Sequence, residues 1–330
     1  MNTTNMNRLP VPTWNQCGVN AAPEAAALPE LSGNDWGEAN FAVTLPAGVG
    51  ESEEEFTAFA ESGMGTETDA FLQENATVRH ALTVAEGVQV EHPAVFEFTL
   101  DAGHPNALSV LDVDAKANSS LTLVQVVRGD AENGISAGLV RIRAAEGAQV
   151  KLVQVQMLGS HVRHWGAVAI EESTSAKVEQ VRIVLGGTVA ACGARAMLDH
   201  AKAEYDLDAV YFGGQDAVLD FNDVSVHTAK DTLCEMHTAG VLTGNASKIL
   251  RGTIDFRRGA KRGVGHESED VLLFSPEARN RTAPLILCGE EEVEGQHAAS
   301  IGRLDEEKLY YLCSRGLSEA QARRLMVDAR

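Results

Sequence analysis

Histidine, cysteine and carboxylate side chains at close spacing are where chemistry would first be sought in this 330-residue chain. The segment HVRH sets His161 and His164 three apart in a strand-like stretch. Alternation along a strand sends such a pair to opposite faces and spoils joint metal ligation. Cys234 and His237, with His227 upstream, have ligand types and a C-x2-H spacing that zinc or iron accepts. A structural site needs a fourth ligand, and no second C-x2-C half accompanies them. Asp220 and Asp223, in LDFND, are of the type of the paired carboxylates that cleave glycosidic bonds, although Asp and Asn at strand ends are more commonly turn formers. No G-x4-G-K-[ST] loop, G-x-S-x-G elbow, H-E-x-x-H helix or nucleotide-type G-x-G-x-x-G is present.

These residues sit in a chain of distinctive texture. From about residue 79 onward, β-branched runs of 4 to 8 residues are broken by Gly, Asn, Asp or Ser, which is the pattern of many short strands and excludes a helical bundle. NSSLTLVQV, GAQVKLVQV, SAKVEQVRI and HAKAEYDLD superimpose so that Leu121, Val150, Val178 and Ala203 coincide, at steps of 29, 28 and 25 residues. A drifting repeat of that length without helices predicts stacked strand coils, because one coil cannot bury its apolar face alone. A parallel β-helix is the natural form; a β-sandwich with accidental similarity between strands is the competing one. The pairs Gly186–Gly187 and Gly213–Gly214 are expected at coil corners.

Residues 1–78 form an N-terminal variable region of Ala, Gly, Pro and acidic residues, expected to be irregular or helical, with the charge run ESEEEF (51–56) on a solvated helix or loop. The core is expected over 79–303. After that, over 304–330, the period becomes helical. Asp305 is placed to cap EEKLYYLCSR, with Gly316 closing it. Ser318 and Gln321 form an S-x-x-Q capping box, followed by a stripe of Ala322, Leu325, Met326 and Ala329. A helical hairpin should therefore follow the β-rich body.

Composition narrows the function. Lys plus Arg number 27 against 47 for Asp plus Glu, a formal charge of -20. Such a surface repels nucleic acid and anionic lipid. No run of about 18 apolar residues could span a bilayer, and MNTTNMNRLPVPTWNQ lacks the basic head and apolar stretch of a signal peptide. The five scattered cysteines do not make a disulfide framework. A cytoplasmic protein is expected.

The last eighty residues resemble the SufB/SufD family of iron-sulfur cluster assembly scaffolds. The pattern is carried by Gly252 and Ile254; by Leu272, Leu273, Ser275 and Ala278; by Pro284 and Leu285; and by Val293 and His297. It continues through Gly302, Asp305, Leu309, Tyr310, Tyr311, Leu312, Ser314, Arg315 and Gly316. LTVAEGVQVEHPAVFEF (82–98) is similar to the family's first core strands. The resemblance implies a right-handed parallel β-helix core between helical ends. It implies a scaffold, not an enzyme, that pairs through its β-helix with a SufB-like subunit or with itself, docks the SufC ATPase of the ABC type, and receives sulfur from a cysteine desulfurase relay. Where SufB-like chains carry a cysteine and a glutamate tied to cluster building, this chain has Glu269 and Ala298, which points to the SufD-like branch.

On this resemblance His297 is the leading candidate ligand for a transient cluster or iron at the subunit junction, with a partner supplying the thiolate. Cys288 and Cys313 are further thiol candidates, although free cysteine in an apolar run is commonly a small core residue. Leu309, Tyr310, Leu312, Arg315 and Leu317 are expected at the ATPase interface. No permanently bound cofactor is implied, and no pattern assigns a flavin. Two alternatives stand beside this reading: a β-helix carbohydrate-active enzyme using Asp220 and Asp223 in an acidic groove, and a self-pairing structural β-helix without cluster chemistry.

Overall fold

In the computed structural model, which describes residues 5–29, 36–52, 56–303 and 305–328, the chain forms a parallel β-solenoid, as the repeat predicts. Two short strands, β1 (Phe41–Thr44) and β2 (Val49–Ser52), and helix α1 (Thr66–Asn75) precede it. The solenoid strands are β3 (Val78–Val84), β4 (Ala94–Leu100), β5 (Asn106–Ala115), β6 (Ser120–Gly129), β7 (Gly134–Ala144), β8 (Gln149–Leu158), β9 (Val162–Glu172) and β10 (Lys177–Val184). They continue as β11 (Val189–Leu198), β12 (Glu204–Gly213), β13 (Val218–His227), β14 (Leu233–Leu242), β15 (Ser247–Phe256), β16 (Gly263–Leu273), β17 (Arg279–Cys288) and β18 (Val293–Arg303). Helices α2 (Glu306–Ser314) and α3 (Glu319–Asp328) end the described chain.

Successive strands alternate between two nine-stranded sheets, so that each coil contributes one strand to each. One sheet runs β1-β4-β6 and onward through the even strands to β18; the other runs from β17 down the odd strands to β3 and β2. All pairings within the coils are parallel, whereas β1 and β2 pair antiparallel on β4 and β3 and close the first coil. At one corner, Gly87, Asn118, Gly147, Ser175, Lys202, Asp231 and Arg262 all take positive φ. Each donates its N–H to a carbonyl of the next coil, as Asn118 does to Glu146 and Ser175 to Ala201. Gly186–Gly187 and Gly213–Gly214 lie at or beside the opposite corner, as expected.

The predicted column is largely correct: Leu121 pairs with Val150, and Val150 with Val178. The fourth member is not Ala203 but Tyr205, 27 residues after Val178. Lys202 occupies the left-handed corner position, so β12 begins only at Glu204 and Ala203 falls in the turn. Tyr205 is buried, and its hydroxyl donates to Gln180 Oε1 at 2.8 Å, which removes the cost of burying a phenol.

The main core fills the space between the sheets, with Phe96, Phe98, Leu123, Leu152, Val178 and Leu207 among its members. Even strands alternate buried and partly exposed residues, as β10 does, while odd strands such as β13 are buried along almost their whole length. The reason is the N-terminal segment, which lies across the outer face of the odd sheet. Trp165 Nε1 donates to the Ala26 carbonyl at 2.9 Å, and Asn222 Nδ2 to that of Gly63 at 2.5 Å. Trp36, Met64, Phe71 and Leu72 form with Trp165 a second apolar cluster on this face. Of the acidic run at 51–56, Glu53–Glu55 lie outside the described residues; Glu51 and Ser52 belong to β2.

The C-terminal pair forms as predicted. Asp305 caps α2 by accepting from the Lys308 N–H at 3.1 Å, and Gly316 takes a left-handed φ of 96°. Ser318 and Gln321 satisfy one another's backbone N–H groups in a capping box. Ala322 is buried, but Leu325 remains 48% exposed, and Ala329 lies outside the described residues.

Candidate functional site: the open terminal coil

Among the described residues no further coil stacks on the last one. β17 and β18 are the outermost strands of their sheets, so each presents an unpaired row of backbone N–H and C=O groups. β18 is exposed along nearly its full length. His297 lies on it in register with Glu267 of β16, so the two belong to one inward-pointing column. Because no coil follows among the described residues, this column is uncovered at His297, and the column of Val271 at Ile301, which is 55% exposed.

Beneath the open end runs a buried polar row. Arg182 forks onto Asp223 at 2.8 and 2.6 Å inside the solenoid. Glu267 lies against Gly252, where a Cβ would overlap its carboxylate, so the family-like glycine at 252 makes room for a buried acid. Burial, reinforced by the Asp223 charge, pushes the Glu267 carboxyl up to about 7. Glu269 contacts Lys248 and accepts from the Thr282 hydroxyl at 2.5 Å. At the position where a cysteine marks the SufB-like pattern, this chain thus holds an internal ion pair.

Cys288 ends β17 in register with Phe256 and is exposed, whereas His297 stands beside Glu267 in the other sheet. Cys313 lies on α2. The fold does not gather these three, and among the described residues no group of three His, Cys, Asp or Glu side chains is placed to hold a metal ion.

The other sequence candidates disperse. His161 sits in a corner and meets Asp130 at 2.9 Å, while His164 faces inward against Ser136 and is held neutral, its pKa lowered to about 4 by burial and the Arg182 charge. His237 meets Ser268 and His227 meets Thr232, each at 2.8 Å, and burial pushes the Cys234 thiol well up. The carbohydrate-active alternative is corrected outright. Asp220 and Asp223, three apart on β13, face opposite sides of the sheet. Asp223 is spent on Arg182, and Asp220 on Arg251 at 2.9 and 3.1 Å under the N-terminal segment. Both carboxylates are buried, so neither is open to a saccharide.

Beside the open end stands the helical pair. Tyr310 is 77% exposed, Leu309, Leu312 and Leu317 are half-buried, and Arg315 stacks over the Tyr311 ring at 5.0 Å. Leu309, Tyr310 and Cys313 line a groove of about 710 Å³ against Leu273, Phe274 and Pro276 of the solenoid. Sequence reasoning missed the buried ion pairs. Their signal was a charged residue at an inward position of an alternating strand, as Arg182 is in KVEQVRIV.

Comparison with known proteins agrees with this architecture. Residues 98–330 match the family model described as SUF system FeS cluster assembly, SufBD core domain. The iron-sulfur cluster assembly protein SufD of Bacillus subtilis is 33% identical over 122 residues, which cover 37% of this chain and 28% of that protein. An iron-sulfur cluster assembly SufBD family protein of Pyrococcus horikoshii is 27% identical over 262 residues, covering 74% of this chain and 55% of the relative. The chain thus spans little more than half of these relatives at most. With a family match across more than two thirds of its length, on a β-solenoid that ends in an open coil and a helical pair, the chain belongs to the SufBD family of iron-sulfur cluster assembly proteins.

Proposed function

We propose that this chain is a non-catalytic, SufD-like scaffold subunit. Its terminal coil pairs with a SufB-like subunit or a second copy of itself, and its helical pair docks a SufC-like ATPase. The observation that carries this reading is the open coil itself: two unpaired edge strands, one of them carrying His297 uncovered. Edge pairing satisfies the exposed backbone groups of both partners and aligns the two inward columns across the junction. The iron or cluster is then cargo, held between His297 and thiolates of the partner, and sulfur arrives from a desulfurase relay. Tyr310, Leu309, Leu312, Arg315 and Leu317 supply the aromatic, aliphatic and guanidinium groups typical of an interface centre. No helix among the described residues is long and apolar enough to cross a membrane.

The test is co-expression of the tagged chain with a SufC-like ATPase and a SufB-like chain. Ala298→Pro on β18 should remove pairing with the scaffold partner while ATPase capture persists. Deleting residues 304–330 should do the reverse. His297→Ala should leave both associations intact and lower cluster assembly; unchanged assembly would remove His297 from the proposal. If the chain pairs with itself and captures neither protein, the purely structural solenoid becomes the better reading.

A further inference from the structure

The molecule carries a formal charge of -20, yet one cleft in it is basic. It opens between the N-terminal segment and the last coil, with a volume of about 1140 Å³. Arg279, Arg281 and Arg303 line it, and Glu24 is the one acidic residue among its lining. Arg279 and Arg281 alternate along β17 and so share a face, roughly 7 Å apart along the strand. Arg281 Nη1 donates to the Gly18 carbonyl at 3.1 Å, which anchors it to the opposite wall. Arg279 and Arg303 are exposed, and their guanidinium groups form no hydrogen bond or ion pair among the described residues. By contrast, Arg257 and Arg262, at the other corner of the neighbouring coil, are paired with Asp255 and Asp231.

We infer that this cleft binds a small polyvalent oxyanion of the pyrophosphate type, with Arg279 and Arg303 as its charged clamps and Arg281 as the fixed third cation. Guanidinium groups offer planar forks that match phosphate oxygens two at a time. Unpaired arginines in a field otherwise set by carboxylates also concentrate anions locally. The lining contains no aromatic ring, so there is no platform for a nucleobase, and recognition rests on charge and hydrogen bonding. Gln16 supplies an amide group from the wall opposite the arginines. Cys17, an exposed thiol on the wall, serves as a reporter.

Calorimetric titration of the full chain with pyrophosphate at low ionic strength tests this. Saturable binding is expected, weakening with salt and exceeding that of orthophosphate by about tenfold, because a second charged group engages a second guanidinium. ATP should bind no more tightly than pyrophosphate. Arg279→Gln with Arg303→Gln should weaken pyrophosphate binding at least about tenfold, while Arg257→Gln with Arg262→Gln leaves it unchanged. Bound pyrophosphate should slow alkylation of Cys17 relative to Cys288 in the native chain and not in the Arg279/Arg303 variant. Absence of saturable binding, a double variant with native affinity, or an unprotected Cys17 would each overturn the assignment. Matched thermal unfolding of the variants keeps a folding defect from imitating the expected loss.

Discussion

Replacing Arg251 by Met should loosen the N-terminal segment from the solenoid more than any surface change. The guanidinium is fully buried and makes five hydrogen bonds: two to the Asp220 carboxylate at 2.9 and 3.1 Å, and one each to the carbonyls of Val19 at 2.5 Å, Ala21 at 2.6 Å and Phe221 at 3.4 Å. Methionine conserves the stem but strands the carboxylate. Breaking a buried pair from one side costs about 3–5 kcal/mol, since the remaining charge stays uncompensated. Each abandoned carbonyl adds about 1–3 kcal/mol if it remains buried. Two responses limit the sum. Burial already pushes the Asp220 carboxyl up, so without arginine it takes a proton, and the segment can peel away to rehydrate its carbonyls. A net loss of about 4 kcal/mol is therefore expected, a large part of a typical stability of about 5–15 kcal/mol. Urea unfolding measures the loss, and limited proteolysis shows whether cleavage begins within residues 5–29. The double variant Asp220→Leu with Arg251→Met should recover much of the stability, because two apolar groups replace two charges. A single variant losing under about 1 kcal/mol, or a double variant no better than the single, would refute the view that this pair fastens the segment.

Three further outcomes follow from other parts of the structure. Glu267 has a folded pKa of about 7 against 4.5 when free, so its contribution to stability is complete below about 4.5 and is lost as pH rises through 7. Glu267→Gln should thus gain on the native chain between pH 5 and 8, by up to about 3 kcal/mol, and a melting-temperature difference that does not change with pH would contradict the burial argument. A Cβ on Gly193 would meet Gly63 C at 2.6 Å and Met64 N at 2.7 Å, both backbone. Gly193→Ala should therefore cost several kcal/mol, on the order of 3, and raise protease sensitivity near residue 63. Asp305→Ala removes the acceptor for the Lys308 N–H and should destabilise α2 by about 1 kcal/mol, seen as faster amide exchange in its first turn and not in α3.

Much of the fold is written in local pattern. The column Leu121–Val150–Val178 is legible because a stacked coil needs an apolar residue at one inward position in every turn, and that need repeats in the sequence. The caps at Asp305, Gly316 and Ser318 are legible for a similar reason, since they satisfy groups only a few residues away. His297 could be singled out from the resemblance, but its setting at an uncovered column end could not, because exposure depends on where the stack stops. The register error at Ala203 came from a left-handed corner at Lys202, a conformation that lysine seldom advertises.

What tertiary structure alone decided is who faces whom across large separations. Nothing in LDFND shows that Asp220 meets Arg251 outside the sheet while Asp223 meets Arg182 within it, nor that residues 5–29 supply carbonyls to an arginine more than two hundred positions away. Periodicity reports the environment of a side chain's neighbours along one strand. Charge pairing and coverage are set between strands and segments that meet only once the chain has coiled, so composition and spacing carry the architecture while the partners of its buried charges emerge from the fold.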